Sequence, residues 1–356
     1  MKKEYNLLPG PSGFIKEYEK YLLKTPISQR SNEFLSVWFS VKNILKLLLD
    51  NLYGDVAILT CSSTGAMEAS IISLTSKNSK VLVISSGKFG DRFFDICNSY
   101  SITANKLSFL ENRKVDYNLI ERELSKGNYT HITFQICETS SGIYCDPSII
   151  GKMGERFGCI TIADAVSAFT SDYIYQDQFN IDAIIIGSQK GLNSPSGLSF
   201  ISLNKKAMEI IKNNNISSYY FNLNKYFDSP PFTPAINTLF YIEQIIKDMK
   251  EKGINKIIER NQKIADIIRK KCIDFGINLY PLESSYGVSV FEYSDAENFI
   301  DFCKKKFSLY IGHGQGSLKG KVFRIGHFGL TPYKNYDIFY LALKKFIKNN
   351  LAKVEN

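Results

Sequence analysis

Ile184-Ile185-Ile186-Gly187-Ser188-Gln189-Lys190-Gly191-Leu192-Asn193-Ser194-Pro195-Ser196-Gly197 sets a lysine directly after a short apolar run and before a turn rich in Gly and Pro. An unbroken run of this kind, bounded by turn residues, fits a strand buried on both faces, as in parallel sheets covered by helices. A lysine at a strand end is most simply a solvated surface residue. A functional lysine needs this same setting, because partial desolvation lowers its pKa and frees the amine to condense with a carbonyl.

Similar short runs at 56–60, 81–85, 131–137, 159–163, 183–187 and 198–203 alternate with helical patterns. The alternation predicts an α/β fold with a mostly parallel central sheet, helices on both faces, and functional loops at the carboxyl ends of the strands. The first 50 residues, with Pro9-Gly10-Pro11 and then helical stretches, are expected to form an arm and helices leading into a large domain over 51–232. From 233 to 356 the texture changes to helices near 235–252 and 255–275, strands near 287–292 and 321–325, and a closing helix near 335–350. This predicts a linking helix and a smaller α+β domain. No internal repeat or low-complexity segment appears.

The chain has 356 residues, 44% hydrophobic and 22% charged, enough to bury a sizeable core. No signal-like opening and no apolar stretch near the roughly 20 residues of a membrane span is present, so a cytoplasmic location is expected. The seven cysteines are scattered without a CxxC pair and are expected to be reduced and mostly buried. His131, His313 and His327 lie far apart, and no metal site is expected. The net charge of +9 is spread along the chain, without an arginine-rich stripe. The lysines at 304–306 and 344–345 are read as solvated helix faces, and no nucleic-acid partner is expected.

Two further segments bear on Lys190. Cys159-Ile160-Thr161-Ile162-Ala163-Asp164-Ala165-Val166-Ser167 ends an apolar strand on a carboxylate, where a neighbouring parallel strand would present it to the same pocket as Lys190. Pyridoxal phosphate needs an anion against its ring nitrogen, and Asp164 could supply it; a helix N-cap is the alternative. Thr60-Cys61-Ser62-Ser63-Thr64-Gly65-Ala66-Met67-Glu68-Ala69 runs from a strand through hydroxyl residues into a helix, so that N–H groups, hydroxyls and the helix dipole converge on one anion site. A capping box with Glu68 would explain one hydroxyl but not the cluster. Neither a Walker loop nor a GxGxxG turn is present, which removes the expectation of an ordinary dinucleotide enzyme.

With Asn6-Leu7-Leu8-Pro9-Gly10-Pro11, Glu138-Thr139-Ser140-Ser141-Gly142, Gly187-Ser188-Gln189-Lys190 and Phe323-Arg324-Ile325-Gly326-His327, these segments fall in an order that resembles the class V aminotransferases of pyridoxal-phosphate fold type I. The likeness is specifically to the alanine–glyoxylate/serine–pyruvate branch and covers nearly the whole chain. It implies a homodimeric, ping-pong aminotransferase that uses pyridoxal 5'-phosphate and passes an amine from a small donor such as alanine or serine to glyoxylate or pyruvate. Lys190 resembles the Schiff-base lysine and proton carrier, and Asp164 the partner of the ring nitrogen. Val166 and Phe89, where many members have Trp, resemble the residues on the two ring faces. Ser62, Ser63, Thr64, Gly65 and Gln189 resemble the phosphate cup, completed across a dimer interface by Thr233. Ser140 is expected near the ring hydroxyl, and Arg324 resembles the arginine that grips the substrate carboxylate.

Gln29 stands where the family often has histidine, and His313 is expected to be a turn residue. A 2-aminoethylphosphonate–pyruvate aminotransferase has overlapping motifs. A cysteine desulfurase would put histidine at position 189 and a loop cysteine between 273 and 302, where there is none. A non-catalytic relative would lack Lys190 or Asp164.

Overall fold

The computed structural model describes residues 3–354 apart from Glu111. The first half of the chain gives β1 (Tyr5–Asn6), α1 (Asn32–Leu48), β2 (Asp55–Leu59), α2 (Ser63–Leu74), β3 (Lys80–Ser85), α3 (Lys88–Ser99), β4 (Thr103–Ser108), α4 (Tyr117–Ser125), β5 (His131–Gln135), α5 (Pro147–Phe157) and β6 (Ile160–Asp164). Next come β7 (Ala183–Gly187), β8 (Ser199–Leu203), α6 (Lys205–Asn213), α7 (Ile236–Lys252), α8 (Ile254–Ile273), β9 (Asn278–Leu279) and β10 (Val288–Glu292). The chain ends with α9 (Ala296–Phe307), β11 (Leu309–Tyr310), β12 (Gly312–His313), β13 (Val322–Gly326) and α10 (Tyr333–Val354).

Strands β2 to β8 form one seven-stranded sheet in the order β2-β8-β7-β6-β5-β3-β4, with β8 antiparallel to both its neighbours. The expected α/β fold with a mostly parallel sheet is therefore present. Alternation along each strand explains the apolar runs: Ala183 and Ile185 pack with α2, α3 and α6, while Ile184 and Ile186 pack with α1, α4, α5 and α7. Short polar residues start the helices. Ser31 accepts from Phe34 N at 3.2 Å, Asp146 from Ser148 N at 2.8 Å with Pro147 opening α5, and Asn204 from Ala207 N at 2.8 Å.

Strand β4 is absent from the sequence expectation for a physical reason. It lies at the sheet edge, largely exposed, so Thr103-Ala104-Asn105-Lys106-Leu107-Ser108 carries no apolar run.

In the second half, α7 lies along α1, while β12-β13-β10-β9 form an antiparallel sheet packed on α8, α9 and α10 through Phe291, Phe299, Phe323 and Phe339. The expected N-terminal arm has two destinations. Tyr5–Asn6 pairs in parallel with β11, Leu7 is buried in the core of the C-terminal sheet and Gly326 N donates to Leu7 O at 2.9 Å. Six residues after Asn6, Ser12 N donates to Gln189 O at 2.7 Å and Ser12 Oγ to Lys190 O at 2.8 Å. Residues 5–12 are thus a strap between the C-terminal sheet and the lysine loop. The seven cysteines are unpaired and six are buried, as expected. No helix among the described residues is long and apolar enough to cross a membrane.

The residue before β10, Gly287, packs on the loop after β6, where a Cβ would lie 1.8 Å from the Ser167 carbonyl oxygen. Gly287→Ala is therefore expected to lower the unfolding free energy by about 1–3 kcal/mol, read from denaturant melts, because backbone must move to admit the methyl group.

Candidate active site

Parallel strands deliver their carboxyl ends to one edge of the sheet, and five of these ends feed a single cavity of about 250 Å³. Lys190 stands three residues beyond β7, Asp164 closes β6, Thr139 follows β5, Ser62 to Thr64 follow β2, and Phe89 follows β3. Arg324, on β13, enters from the C-terminal sheet, and Pro9, Gly10 and Pro11 of the strap line the same space.

Lys190 is buried, with Nζ donating to Thr139 Oγ1 at 3.0 Å and to Ser167 Oγ at 2.5 Å. Burial pulls its pKa down to about 8, against the opposing pull of Asp164. The surface-lysine alternative is thereby excluded. Gly10 lies along the lysine stem, where a Cβ would sit 2.7 Å from Lys190 Cε.

Asp164 is buried on β6, opposite Gln135 and Ile185, and its Oδ1 accepts from Val166 N at 2.9 Å. Burial pushes its carboxyl above the usual range, with Lys190 and Arg92 pulling the other way. A buried carboxylate raised in this way favours a cationic N–H partner, and a protonated pyridine ring is one.

The start of α2 brings the segment expected to cradle an anion to the cavity. Ser62 is its N-cap residue but spends no side-chain bond on the cap, and Glu68 bonds the Tyr100 hydroxyl instead of closing a capping box. The Ser62 and Ser63 side chains and the first N–H groups of α2 are therefore turned toward the cavity end of the helix. Gln189 Nε2 reaches Ser63 Oγ at 3.4 Å, and Thr64 Oγ1 accepts from Arg92 NH1 at 3.0 Å. Gly65 does not line the cavity; it is buried in the first turn of α2, where a Cβ would lie 2.8 Å from Cys61 Sγ.

Phe89 and Val166 both line the cavity, and Lys190 Nζ lies 5.4 Å from the Phe89 ring centroid. Phe89 is held by Glu138, a buried carboxylate that accepts from Phe89 N at 2.9 Å, Gly90 N at 3.0 Å, Ser140 N at 3.0 Å and Ser140 Oγ at 2.6 Å. Glu138 thus does for α3, from the loop after β5, what a capping side chain does locally.

Ser140 does not line the cavity: its hydroxyl donates to Glu138 and accepts from Lys88 N at 3.2 Å, while Thr139, its neighbour in the turn after β5, faces the cavity.

Arg324 is buried and pinned, Nε donating to His313 O at 2.7 Å and NH1 to Thr139 O at 2.7 Å. Burial lowers its pKa to about 10, and it remains cationic at neutral pH. His313 is not in a turn but in β12, its exposed ring hydrogen-bonded through Nδ1 to Glu297 Oε2 at 2.8 Å. Thr233 is exposed, outside this chain's cavity, and accepts from Gln29 Nε2 at 3.3 Å.

Thr139, Ser167, Arg92, Glu138 and Gln315 carry no distinguishing signal of their own in the sequence. Thr139, Glu138 and Ser167 lie inside motifs already noted, and Arg92 follows the Gly87-Lys88-Phe89-Gly90 turn by two residues, so their neighbourhood is visible there and their orientation is not. Among the described residues no cluster of His, Cys, Asp or Glu could hold a metal ion.

An α/β sheet whose strand ends gather a desolvated lysine, a buried aspartate, an anion cradle and a pinned arginine defines an enzyme of cofactor-dependent amine chemistry. Residues 28–277 match the model of the aminotransferase class-V family, and the chain belongs to that family of pyridoxal-phosphate-dependent transaminases. It is 30% identical to a soluble hydrogenase small subunit of Synechococcus over 91% of this chain and 88% of that one. It is 25% identical to alanine–glyoxylate aminotransferase 1 of Saccharomyces cerevisiae over 95% and 97%. The crystal structure of ureidoglycine–glyoxylate aminotransferase from Bacillus subtilis superimposes with a TM-score of 0.93 at 22% identity, covering 98% of this chain and 94% of that one.

Only an uncharged amine attacks a carbonyl. Capture of pyridoxal phosphate by the protein, followed by stopped-flow absorbance, should accelerate as pH rises through about 8 and then level off. Acceleration continuing toward the ordinary lysine value of about 10.4 would show Lys190 to be unperturbed.

Proposed function

We propose that the protein is a pyridoxal-phosphate aminotransferase that moves an amine from a small amino acid of the alanine or serine type to a small 2-oxo acid of the glyoxylate or pyruvate type. The observation that carries this reading is Lys190: buried at the end of β7, its amine lowered to about 8, in one cavity with Asp164 and Arg324.

The residues present suit the cofactor. Asp164 would face the ring nitrogen, Phe89 and Val166 the two ring faces, and Ser62, Ser63, Thr64 and Gln189 the phosphate, with Thr139 near the ring hydroxyl in place of Ser140. When bound, the cofactor supplies an electron sink beside the substrate Cα. Lys190 Nζ is the base that takes the proton from that carbon, and the Thr139 and Ser167 hydroxyls fix the direction in which it points. Arg324 receives the substrate carboxylate; its side chain is already immobilised by two carbonyls, so little rotamer freedom is lost on binding. The strap and the buried walls keep water from the reacting atoms.

A cavity of about 250 Å³ is smaller than the ~300–1,000 Å³ typical of drug-sized ligands, which favours a small donor once the cofactor is in place. A phosphonate donor would call for a second cation on the substrate side. The cations lining the cavity are Lys190, Arg324 and Arg92, and Arg92 stands at the anion cradle beside Thr64. We further infer a homodimer, with Thr233 reaching the cradle of the second copy, and a reducing cytoplasmic setting, which the unpaired cysteines suit.

The purified protein should be yellow, and its visible band should change on adding alanine or serine. A panel of donors and acceptors reads the specificity, and a colourless protein that gains no band with added cofactor overturns the assignment. Lys190→Ala should still bind the cofactor but lose turnover by a factor of at least about 10². Substantial transamination by that variant would take the proton-carrying role away from Lys190.

A further inference from the structure

The cradle at the start of α2 has a charge problem. Ser62, Ser63, Thr64 and Gln189 are all neutral, and a helix N-terminus contributes only about half a positive charge. A phosphate monoester carries about −1.5 to −2 at neutral pH. Among the cationic residues lining the cavity, Lys190 must be uncharged to act as nucleophile and base, and Arg324 is held away from the cradle side chains by its bonds to His313 O and Thr139 O, where it is assigned to the substrate carboxylate. One cation is left without a function.

That cation is Arg92. It stands on α3, half-buried, one turn past Phe89, with its guanidinium 4.6 Å from the Phe89 ring centroid and NH1 donating to Thr64 Oγ1 at 3.0 Å. It forms no ion pair among the described residues, although it lies close enough to bias Asp164. Its position is not accidental: the start of α3 is anchored by Glu138 through Phe89 N and Gly90 N. Anchoring that turn sets the aromatic ring and the guanidinium together, one against the cofactor's face and the other against the cradle.

Resting on the proposed cofactor, we infer that Arg92 is a further cofactor-binding residue, supplying the full positive charge that the phosphate cradle otherwise lacks. Its bond to Thr64 holds the guanidinium beside the N–H groups of α2, so that phosphate oxygens bound there also meet the arginine. Arg92 also explains why the cradle manages with hydroxyl and amide side chains, which orient an anion but do not neutralise it.

The test separates the phosphate from the ring. Apoprotein of the wild type, Arg92→Gln and Arg92→Lys is titrated with pyridoxal phosphate and, separately, with pyridoxal, which lacks the phosphate, and binding is read from protein fluorescence. Arg92→Gln should weaken pyridoxal phosphate by about tenfold to a hundredfold, as for loss of a charge-assisted contact, and leave pyridoxal unchanged. Arg92→Lys, which keeps the charge, should recover part of the loss. Equal weakening of both ligands would mean that Arg92 merely steadies Phe89, and would overturn the inference. So would unchanged cofactor affinity with a raised KM for a dicarboxylate donor. A wild type that binds neither ligand would sink the cofactor assignment itself, a result distinct from a wild type that binds and a variant that is indifferent.

Discussion

Everything in the cavity depends on keeping the Lys190 amine out of bulk water. Moving its pKa from 10.5 to about 8 disfavours the charged form by about 3 kcal/mol, an appreciable fraction of the roughly 5–15 kcal/mol that holds a domain folded. The scaffold sustains this because β7 is buried on both faces, its alternate residues divided between two apolar cores. The same burial raises Asp164 and Glu138, so three ionisable groups are displaced by one cause. What distinguishes them is hydrogen bonding. Glu138 accepts four donors and serves structure, whereas Lys190 and Asp164 keep atoms directed at the cavity.

The central sheet is legible in the sequence because two-sided burial writes itself as unbroken apolar runs. Each of the six runs is a strand, with ends displaced by a residue or two. Strand β4 is illegible for the converse reason, since an edge strand needs no apolar face. The lysine and the aspartate stand out because each ends such a run. Orientation within a loop is a different matter. Thr139 and Ser140 are adjacent and chemically alike, and only the direction set by Glu138 sends one to the cavity and the other away from it. Arg92 stays hidden because an arginine in a helical segment resembles any solvated charge until the helix is set against the cradle.

Glu138 shows how one buried carboxylate coordinates elements far apart in sequence. By gathering N–H groups from the start of α3 and from its own loop, it ties Phe89 to the loop after β5 that carries Thr139. Gly87 permits that approach, since a Cβ there would lie 2.5 Å from Ser140 Oγ. Distances between cavity walls are thereby set by hydrogen bonds from backbone N–H groups to one buried side-chain carboxyl.

The strap at residues 5–12 has a consequence for the order in which the molecule is assembled. Its partners come late: Asn335 Nδ2 bonds Asn6 O across 329 residues of chain, and Ser12 Oγ bonds Lys190 O across 178. On a ribosome residues 5–12 therefore wait for partners that are made much later. Contacts of such sequence separation close large loops and form slowly, and domains fold as units while synthesis proceeds. The sheet and its cores can collapse with the lysine loop still uncovered, and the cavity gains its roof only after the C-terminal strands have been made. The cavity is thus completed in a closing step that joins residues 5–12 to the lysine loop and to the C-terminal sheet.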